Sequence, residues 1–426
     1  MSELNRVFIT GMGALNASGQ TADATFESVL AGDQALADIK QWDLSTWPTR
    51  LGGEIQSYEP AKLLPDRKLI KVISRQDVLG INAAVQAVSN SGLIEYRNTL
   101  ASADEFNERT AVFVGSPGNK YYQQYDFLPL IAKSNGDMHA FATNLSSEVH
   151  PMWLLRILPN NVLAYTGITY GFKGVNHNIA NHAVSGTQAI IEAYHAIQSG
   201  QADRAVVVGY DVGTEPQALF YYDKLGVLSQ HDLKPFDSRH DGTVLAEGAA
   251  AIVLESEAAV RARGAFCHAE LVAGASQTEA SGLFSIEESG EKLARLLSTT
   301  LGNKHIHPSD LGMVVAHGNG NPKSDVSEAK AIQSVFGDYE VPVGAFKWAM
   351  GHTLCASGIL DLILMTYSLR QNCLPGVPNL MSIADDCAPL NISSKKQAID
   401  ADKPYAMVIN RGFSSMNACL VLKRCE

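Results

Sequence analysis

The sequence of 426 residues has little of what would mark several classes of protein. Its six cysteines show neither the CxxC spacing of a zinc site nor the regular spacing of a disulfide framework. No uncharged apolar stretch reaches the ~18 residues that a membrane-spanning helix needs. The 33 Lys and Arg stand against 44 Asp and Glu, and the net charge of −11 argues against a broad nucleic-acid-binding face. We therefore expect a cytoplasmic protein in a reducing environment, with neither nucleic acid nor membrane as a partner.

Hydrophobic residues make up 46% of the chain, which is enough for a large core, and their order indicates an α/β fold. Short β-branched runs that end at glycine alternate with segments of helical periodicity, as is typical of strands buried on both faces. The first half has predicted strands at 7–11, 110–115 and 204–209 and predicted helices at 76–93 and 185–198. The second half has predicted strands at 269–274, 312–316 and 405–410 and predicted helices at 291–301 and 357–370.

One pair of segments suggests that the two halves are duplicates. Residues 182–186 open a long apolar helix, and residues 354–358 open another, 358 − 186 = 172 residues later. Both segments place small residues at the start of the helix and end in Ser-Gly. No linker rich in Pro, Gly or Ser separates the halves. The sequence therefore predicts two halves, 1–265 and 266–426, that share one body.

Three segments carry groups that could form one site. His317 follows a predicted strand and precedes a Gly-rich turn, where α/β folds hold their ligands. His352 lies beside Gly at the opening of a helix, with Lys347 five residues earlier. The loop 412–415 can either point backbone N–H groups into a cavity, as an oxyanion site requires, or form an ordinary β-turn. Two histidines and a lysine in matching contexts indicate a convergent site.

From residue 7 to residue 418, the sequence resembles the elongating β-ketoacyl-acyl-carrier-protein synthases of dissociated fatty-acid and polyketide systems. The resemblance rests on the block 235–248 and on the surroundings of His317, Lys347 and His352. It implies a duplicated thiolase-like fold in αβαβα layers. It also implies an acyltransferase that catalyses decarboxylative Claisen condensation of acyl and malonyl thioesters. No metal or other cofactor is expected, because the phosphopantetheine of an acyl carrier protein holds the substrates.

The resemblance assigns roles to individual residues. His317 and His352 correspond to the two active-site histidines, which stabilise the enolate. Lys347 corresponds to the family's lysine, and Glu328 to the acid that supports it. Phe413 corresponds to the aromatic gate whose backbone N–H completes the oxyanion hole.

Other positions depart from the family's pattern. Asn319 and Asn321 stand where two threonines usually hold the pantetheine arm, and they can still donate and accept hydrogen bonds. The gate reads Gly-Phe-Ser-Ser-Met-Asn instead of Gly-Phe-Gly-Gly-Thr-Asn, and Phe346 and Trp348 replace small polar residues. We expect a reshaped acyl tunnel, suited to a rigid or polyunsaturated chain. The family's structural loop corresponds to Asp237, Arg239, Glu247 and Gly248.

The largest departure is at the nucleophile. The family has a Cys in a sharp turn at a helix N-terminus, and the matching residue here is Ala183. Ser185 is nearby, but a hydroxyl in the first turn ordinarily caps the helix. Three interpretations stay open: a natural Cys replaced in this chain, a natural nucleophile-less subunit of the chain-length-factor type, or a non-catalytic protein that binds acyl carriers. The retained histidines, lysine and glutamate favour the first, since unused buried polar groups are costly.

Two kinds of protein partner are expected. The carrier of this family is acidic, and the predicted docking residues are Lys62, Arg67, Lys68 and Lys71, with Arg75 beside them, although an ordinary solvated face has the same pattern. The family also pairs two subunits, so we expect a homodimer or a heterodimer with a chain-length-factor subunit. The apolar segments 112–115 and 185–194 are predicted to be covered by that partner.

Overall fold

The protein is described from a computed structural model, which covers residues 4–56, 58–118, 127–337 and 339–425. Its strands are β1 (Val7–Asn16), β2 (Ala37–Asp38), β3 (Leu51–Gly52), β4 (Thr110–Gly115), β5 (Asn176–Ile179), β6 (Arg204–Val212), β7 (Glu247–Ser256), β8 (Ala269–Thr278), β9 (Leu311–Val315), β10 (Val343–Gly344), β11 (Cys373–Leu374), β12 (Gln397–Ala398), β13 (Tyr405–Gly412) and β14 (Met416–Lys423). Its helices are α1 (Ala22–Ala31), α2 (Pro60–Leu63), α3 (Arg75–Ser91), α4 (Leu93–Arg97), α5 (Asp104–Glu108), α6 (Leu128–Ser134), α7 (Met138–Glu148), α8 (Trp153–Ile157), α9 (Asn161–Tyr170), α10 (Ser185–Gln198), α11 (Pro216–Lys224), α12 (Glu257–Arg263), α13 (Glu291–Gly302), α14 (Pro322–Phe336), α15 (Lys347–Met350) and α16 (Ser357–Gln371).

Ten strands form one mixed sheet in the order β10-β9-β13-β14-β8-β1-β7-β6-β4-β5. The strands from β10 to β8 in this order belong to the second half of the chain, and those from β1 to β5 belong to the first half. The two sets meet where β1 pairs with β8 in antiparallel register, with Val7 opposite Leu271. Strand β5 forms one edge and pairs with β4 on its inner side.

Helices cover both faces of the central strands of each set because these strands are largely apolar. Every residue of β1, β4, β6 and β7 is buried. Helix α3 packs on β1, β6 and β7, whereas α13 packs on β8 and β14, with α14 beside it. Helices α10 and α16 contact each other, and both contact strands of the two halves. This layering confirms the predicted α/β class and its αβαβα order.

The two segments that suggested a duplication lie against each other at the centre. We call residues 182–186 the first elbow and residues 354–358 the second elbow. His182 and Leu354 open the two elbows, and both have left-handed backbone, with φ 52° and 47°. A Cβ at Gly186 would lie 2.5 Å from a carbonyl oxygen of the second elbow. Glycine at this position therefore lets the two elbows touch.

The predicted elements are present, with longer ends in several strands. The segments 110–115 and 185–198 have the predicted bounds. Strand β1 continues five residues beyond the predicted 7–11, because its glycines serve close packing and do not end it. A Cβ at Gly13 would lie 2.5 Å from the carbonyl oxygen of Ala83 in α3.

The segments predicted to be covered by a partner are covered by this chain itself. Residues 112–115 belong to β4, which is buried between β6 and the edge strand β5, and residues 185–194 belong to α10, which packs on strands of both halves. That part of the prediction is wrong, because apolar residues in a five-layered fold can be internal. Exposed large apolar side chains occur instead on α6 to α9, and α9 contacts the edge strand β5. They include Leu128, Ile131, Met138, Leu154 and Ile168.

Two cysteines also depart from expectation. Cys267, just before β8, and Cys425, just after β14, form a disulfide, although their spacing in the sequence gives no sign of it. The thiols of Cys355, Cys387 and Cys419 are buried. Among the helices in the described ranges, none combines the length and the apolar character that crossing a bilayer requires.

Candidate active site

Two histidines from the second half of the chain meet at a cavity of about 440 Å³. His317 follows β9, and His352 lies just before the second elbow. Their ring centroids are 5.1 Å apart, and the ring planes are nearly perpendicular, at 80°. Both side chains are buried and line the cavity. The structure thus brings together the two histidines that the sequence analysis singled out.

Hydrogen bonds determine which nitrogen of each ring carries the proton. Nδ1 of His317 accepts the backbone N–H of Arg411 at 3.3 Å, and Nδ1 of His352 accepts that of Leu354 at 3.3 Å. Burial lowers the pKa of both rings well below its usual value, and the charge of Lys347 lowers it further. Both histidines are therefore neutral at pH 7, with the proton on Nε2. Two Nε2–H donors can stabilise negative charge on a thioester oxygen.

The acid that supports Lys347 is Asp361, and the prediction of Glu328 in this role is wrong. Nζ of Lys347 lies 2.6 Å from Oδ2 of Asp361, and both side chains are buried. Asp361 lies on α16, one turn after the second elbow, so the helix carries the carboxylate to the lysine of α15. Burial raises the pKa of Asp361, whereas the lysine lowers it.

Glu328 holds the backbone of the histidine turn instead. Its two carboxylate oxygens accept the N–H groups of His317 at 2.7 Å and Gly318 at 3.0 Å. Burial raises the pKa of Glu328 to about 7. Gly318 has φ 44°, a conformation that favours glycine. Glu328 is thus a positioning residue for His317.

The first elbow places Ala183, which is buried, two residues before the start of α10. The preceding residue, His182, extends toward the gate, where its Nδ1 accepts the backbone N–H of Phe413 at 3.1 Å. Its Nε2 lies 2.5 Å from the hydroxyl of Tyr222, and burial lowers the pKa of His182 to about 4. The neutral ring therefore donates from Nε2 to Tyr222. The N–H predicted for the oxyanion hole is already bonded to a side chain of this protein.

His182, Tyr222 and Phe413 form a wall between two cavities. The ring centroids of His182 and Phe413 are 4.4 Å apart, and those of Tyr222 and Phe413 are 5.2 Å apart, both in stacked orientation. All three residues line the cavity that contains the histidine pair and also a second cavity of about 390 Å³. We call these three residues the aromatic wall.

The remaining predicted residues of the first cavity form hydrogen bonds that stabilise the loops around it. Asn319 and Asn321 line the cavity, but Oδ1 of Asn319 accepts the N–H of Asn321, and Oδ1 of Asn321 caps α14. Ser414 and Ser415 have left-handed backbone, with φ 64° and 57°, at the positions where the family pattern has glycine. The hydroxyl of Ser415 lies 2.9 Å from each of two carbonyl oxygens of the loop 282–285, and the bond from its single proton supports this conformation.

The predicted structural loop makes internal contacts. Arg239 lies 2.7 Å from the buried carboxylate of Asp237, and Glu247 forms a 2.7 Å ion pair with Arg75. A Cβ at Gly248 would lie 2.7 Å from a threonine side chain. Arg75 is therefore held inside the protein and does not belong to the basic surface.

The four predicted docking residues are exposed on the surface just ahead of α3. Three of them lie on a 3₁₀ turn at Arg67–Lys71, and Lys62 pairs with the exposed Glu59 at 2.7 Å. Such an exposed ion pair contributes little to stability. Docking of a carrier at these residues stays a prediction.

Comparison with known protein families explains why these features occur together. The β-ketoacyl synthase N-terminal domain matches residues 4–259, and the β-ketoacyl synthase C-terminal domain matches residues 268–381. The chain belongs to the β-ketoacyl synthase family. It is 28% identical over 433 residues to 3-oxoacyl-[acyl-carrier-protein] synthase 2 of Staphylococcus aureus (strain COL), with 100% of both chains covered.

Solved structures show the same fold. A β-ketoacyl synthase from Burkholderia phymatum STM815 is 25% identical and superposes with a TM-score of 0.86, covering 99% of this chain and 100% of that one. The ishigamide ketosynthase/chain length factor is 23% identical, with a TM-score of 0.87 and the same coverage. The duplicated thiolase-like fold of this chain is therefore shown along its whole length.

Sequence reasoning missed several residues of the candidate site. Asp361 could have been found as the lone acid within the apolar stretch of α16, since a buried charge needs a partner. Arg411 could have been found beside the gate. Its buried guanidinium lies 2.8 Å from the carboxylate of Glu279, and its backbone N–H fixes the ring of His317. No local pattern indicates His182, whose partners are 40 and 231 residues away.

Proposed function

We propose that this β-ketoacyl synthase binds carrier-bound thioesters in fatty-acid or polyketide chain elongation but forms no acyl-enzyme at residue 183. It would then act as the nucleophile-less member of a condensing pair. The curated relative at 28% identity is a synthase that acts on acyl-carrier-protein substrates, which supports the substrate class. The missing nucleophile is proposed from the match of Ala183 to the family's Cys.

The observation that carries this proposal is the hydrogen bond between Nδ1 of His182 and the N–H of Phe413. Acyl transfer needs a thiol and also oxyanion donors that are free to bind the substrate. Replacing one Cys would remove only the thiol. Here the donor is occupied as well, by a neighbouring residue that such a replacement would not introduce.

The intact part of the site supports one step of the family's reaction. In a malonyl thioester, the bond between the carboxylate and the α-carbon breaks, CO2 leaves, and the electron pair forms an enolate. The Nε2–H groups of His317 and His352 would stabilise the charge on the thioester oxygen. Protonation of the enolate by water then gives the acetyl thioester. Lys347, paired with Asp361, helps to keep the histidines neutral.

A second candidate is a condensing enzyme whose natural Cys has been replaced by Ala183. The retained histidine pair and the buried ion pair between Lys347 and Asp361 favour it, because each is costly to bury. In this candidate, His182 would swing away when an acyl group enters.

An acylation experiment separates the two candidates. The wild type, Ala183→Cys, and Ala183→Cys with His182→Gly are incubated with octanoyl acyl carrier protein, and intact mass is followed with time. Glycine suits the φ of 52° at residue 182. We expect Ala183→Cys alone to be acylated about a hundredfold more slowly than the double variant, the cost of one oxyanion donor. Equal rates for the two variants would favour the replaced enzyme, and no acylation of either would overturn the proposed thioester binding. The wild type is the control, because any increase in its mass reports acylation of thiols other than residue 183.

We propose a subunit partner on the open side of β5. An edge strand exposes unpaired backbone groups, and clustered exposed apolar side chains mark contact surfaces. Ile168, on α9 beside this strand, is 73% exposed. We expect Ile168→Asp to shift the sedimentation of the chain, alone or with its pair, toward a monomer of about 46 kDa. Sedimentation that stays dimeric in this variant would place the contact elsewhere.

A further inference from the structure

The second cavity, behind the aromatic wall, has a mixed lining. Most of its wall is apolar or aromatic, with Val212, Ala218 and Leu225 among the contributors. Its volume of about 390 Å³ is in the range of small-molecule sites. Four polar side chains that the proposed reaction does not use also line it: Gln76, Asp211, Glu215 and Lys224.

Gln76 is the unusual member of this lining. The residue is 5% exposed, and its Nε2 has no hydrogen-bond partner within the part of the chain that the structure describes. Burying an amide without a partner costs stability, and an apolar residue at this position of α3 would avoid that cost. An amide group kept at such a cost, on the wall of a cavity, indicates a ligand that accepts its hydrogen bond.

Asp211, at the end of β6, supplies the complementary group. Its carboxylate accepts the N–H of Val212 at 2.8 Å and that of Cys355 at 3.5 Å, which fixes its orientation. Burial raises the pKa of Asp211 to about 6, so the group is mainly an ionised acceptor at pH 7.5. The thiol of Cys355 is no nucleophile here, because burial raises its pKa well above the usual value.

We propose that the second cavity binds the far end of an acyl chain that carries a hydroxyl group. The amide of Gln76 donates a hydrogen bond to the hydroxyl oxygen, and the carboxylate of Asp211 accepts a hydrogen bond from the hydroxyl O–H. A pure hydrocarbon end would leave the amide nitrogen of Gln76 buried without a hydrogen-bond partner. This inference deepens the proposed function, on which it rests, because it names the class of chain that the site accommodates.

The test uses the full chain and two soluble probes, octanoate and 8-hydroxyoctanoate, which differ by one oxygen atom. Titration calorimetry at pH 7.5 measures both dissociation constants. We expect 8-hydroxyoctanoate to bind the wild type about tenfold more tightly, the effect of about one satisfied hydrogen bond. Equal affinities, or tighter binding of octanoate, would overturn the proposal. No carrier, partner or acylation is involved, so this result is independent of the acylation experiment.

A variant tests whether Gln76 is responsible for the preference for 8-hydroxyoctanoate. In Gln76→Leu we expect the tenfold preference to be lost, while the matched change of an exposed residue, Gln201→Leu, keeps it. We also expect the unfolding midpoint of Gln76→Leu to equal or exceed that of the wild type, because an unpartnered amide has been removed. A preference that survives Gln76→Leu, or a midpoint that falls, would assign Gln76 a structural role and overturn the proposal.

Discussion

The buried pair of Lys347 and Asp361 allows a sharp test of how the site is supported. Their side chains are 2% and 4% exposed, and their charged atoms are 2.6 Å apart. Removing one partner leaves the other charge buried without compensation, which typically costs about 3–5 kcal/mol. Removing both with apolar residues of similar size costs much less. We therefore expect Lys347→Met and Asp361→Leu each to lower the free energy of unfolding by about 3 kcal/mol or more.

The double variant gives the coupling energy between the two residues, which decides the test. If each single change costs about 3 kcal/mol and the double change costs about the same, the coupling energy is about 3 kcal/mol. Urea unfolding of the four proteins measures it, provided that the slope with denaturant stays constant. A second cycle, with Lys347→Met and Glu328→Gln, is the control, for which we expect less than about 1 kcal/mol. Stronger coupling to Glu328 than to Asp361 would refute the assignment of the pair.

Two further predictions concern carrier-bound substrates. The wild type should release CO2 from malonyl acyl carrier protein, and His317→Ala or His352→Ala should each slow this by about a hundredfold, whereas equal rates would exclude the histidines. Because the pKa of both rings lies well below 6.5, they stay neutral as the pH falls from 8 to 6.5, and their titration should cause no loss of rate in that window. Arg67→Glu with Lys68→Glu should weaken carrier binding more at low salt than at high salt. Changing the exposed lysines 395–396 to glutamate is the control and should leave carrier binding unchanged.

The fold was predictable because the pattern that determines it is local and repeated. The buried strand 110–115 and the helix 185–198 follow from runs of apolar residues with clear ends. The histidine pair followed from positions after a strand and before a helix. The extension of β1 could not be predicted in the same way, since glycine in a strand signals an end as often as a close neighbour.

The support of the site was less predictable because it comes from distant elements. Glu328 was assigned to the lysine although its carboxylate bonds the backbone of the histidine turn. Asp361 reaches Lys347 only because α15 and α16 bring them together. His182 acquires its role from Tyr222 on α11 and from the turn after β13, which no periodicity relates to it.

Because the two elbows are in contact, the substitutions that one half of the chain tolerates depend on the residues of the other half. A Cβ at Gly186 would lie 2.5 Å from the carbonyl oxygen of Cys355, and one at Gly209 would lie 2.7 Å from the same atom. Enlarging either glycine therefore requires the opposite elbow to move. Residues that share such a contact show non-additive effects when changed together. The two elbows consequently have to change together in evolution. A substitution that reshapes one half of the site requires a compensating substitution in the other half.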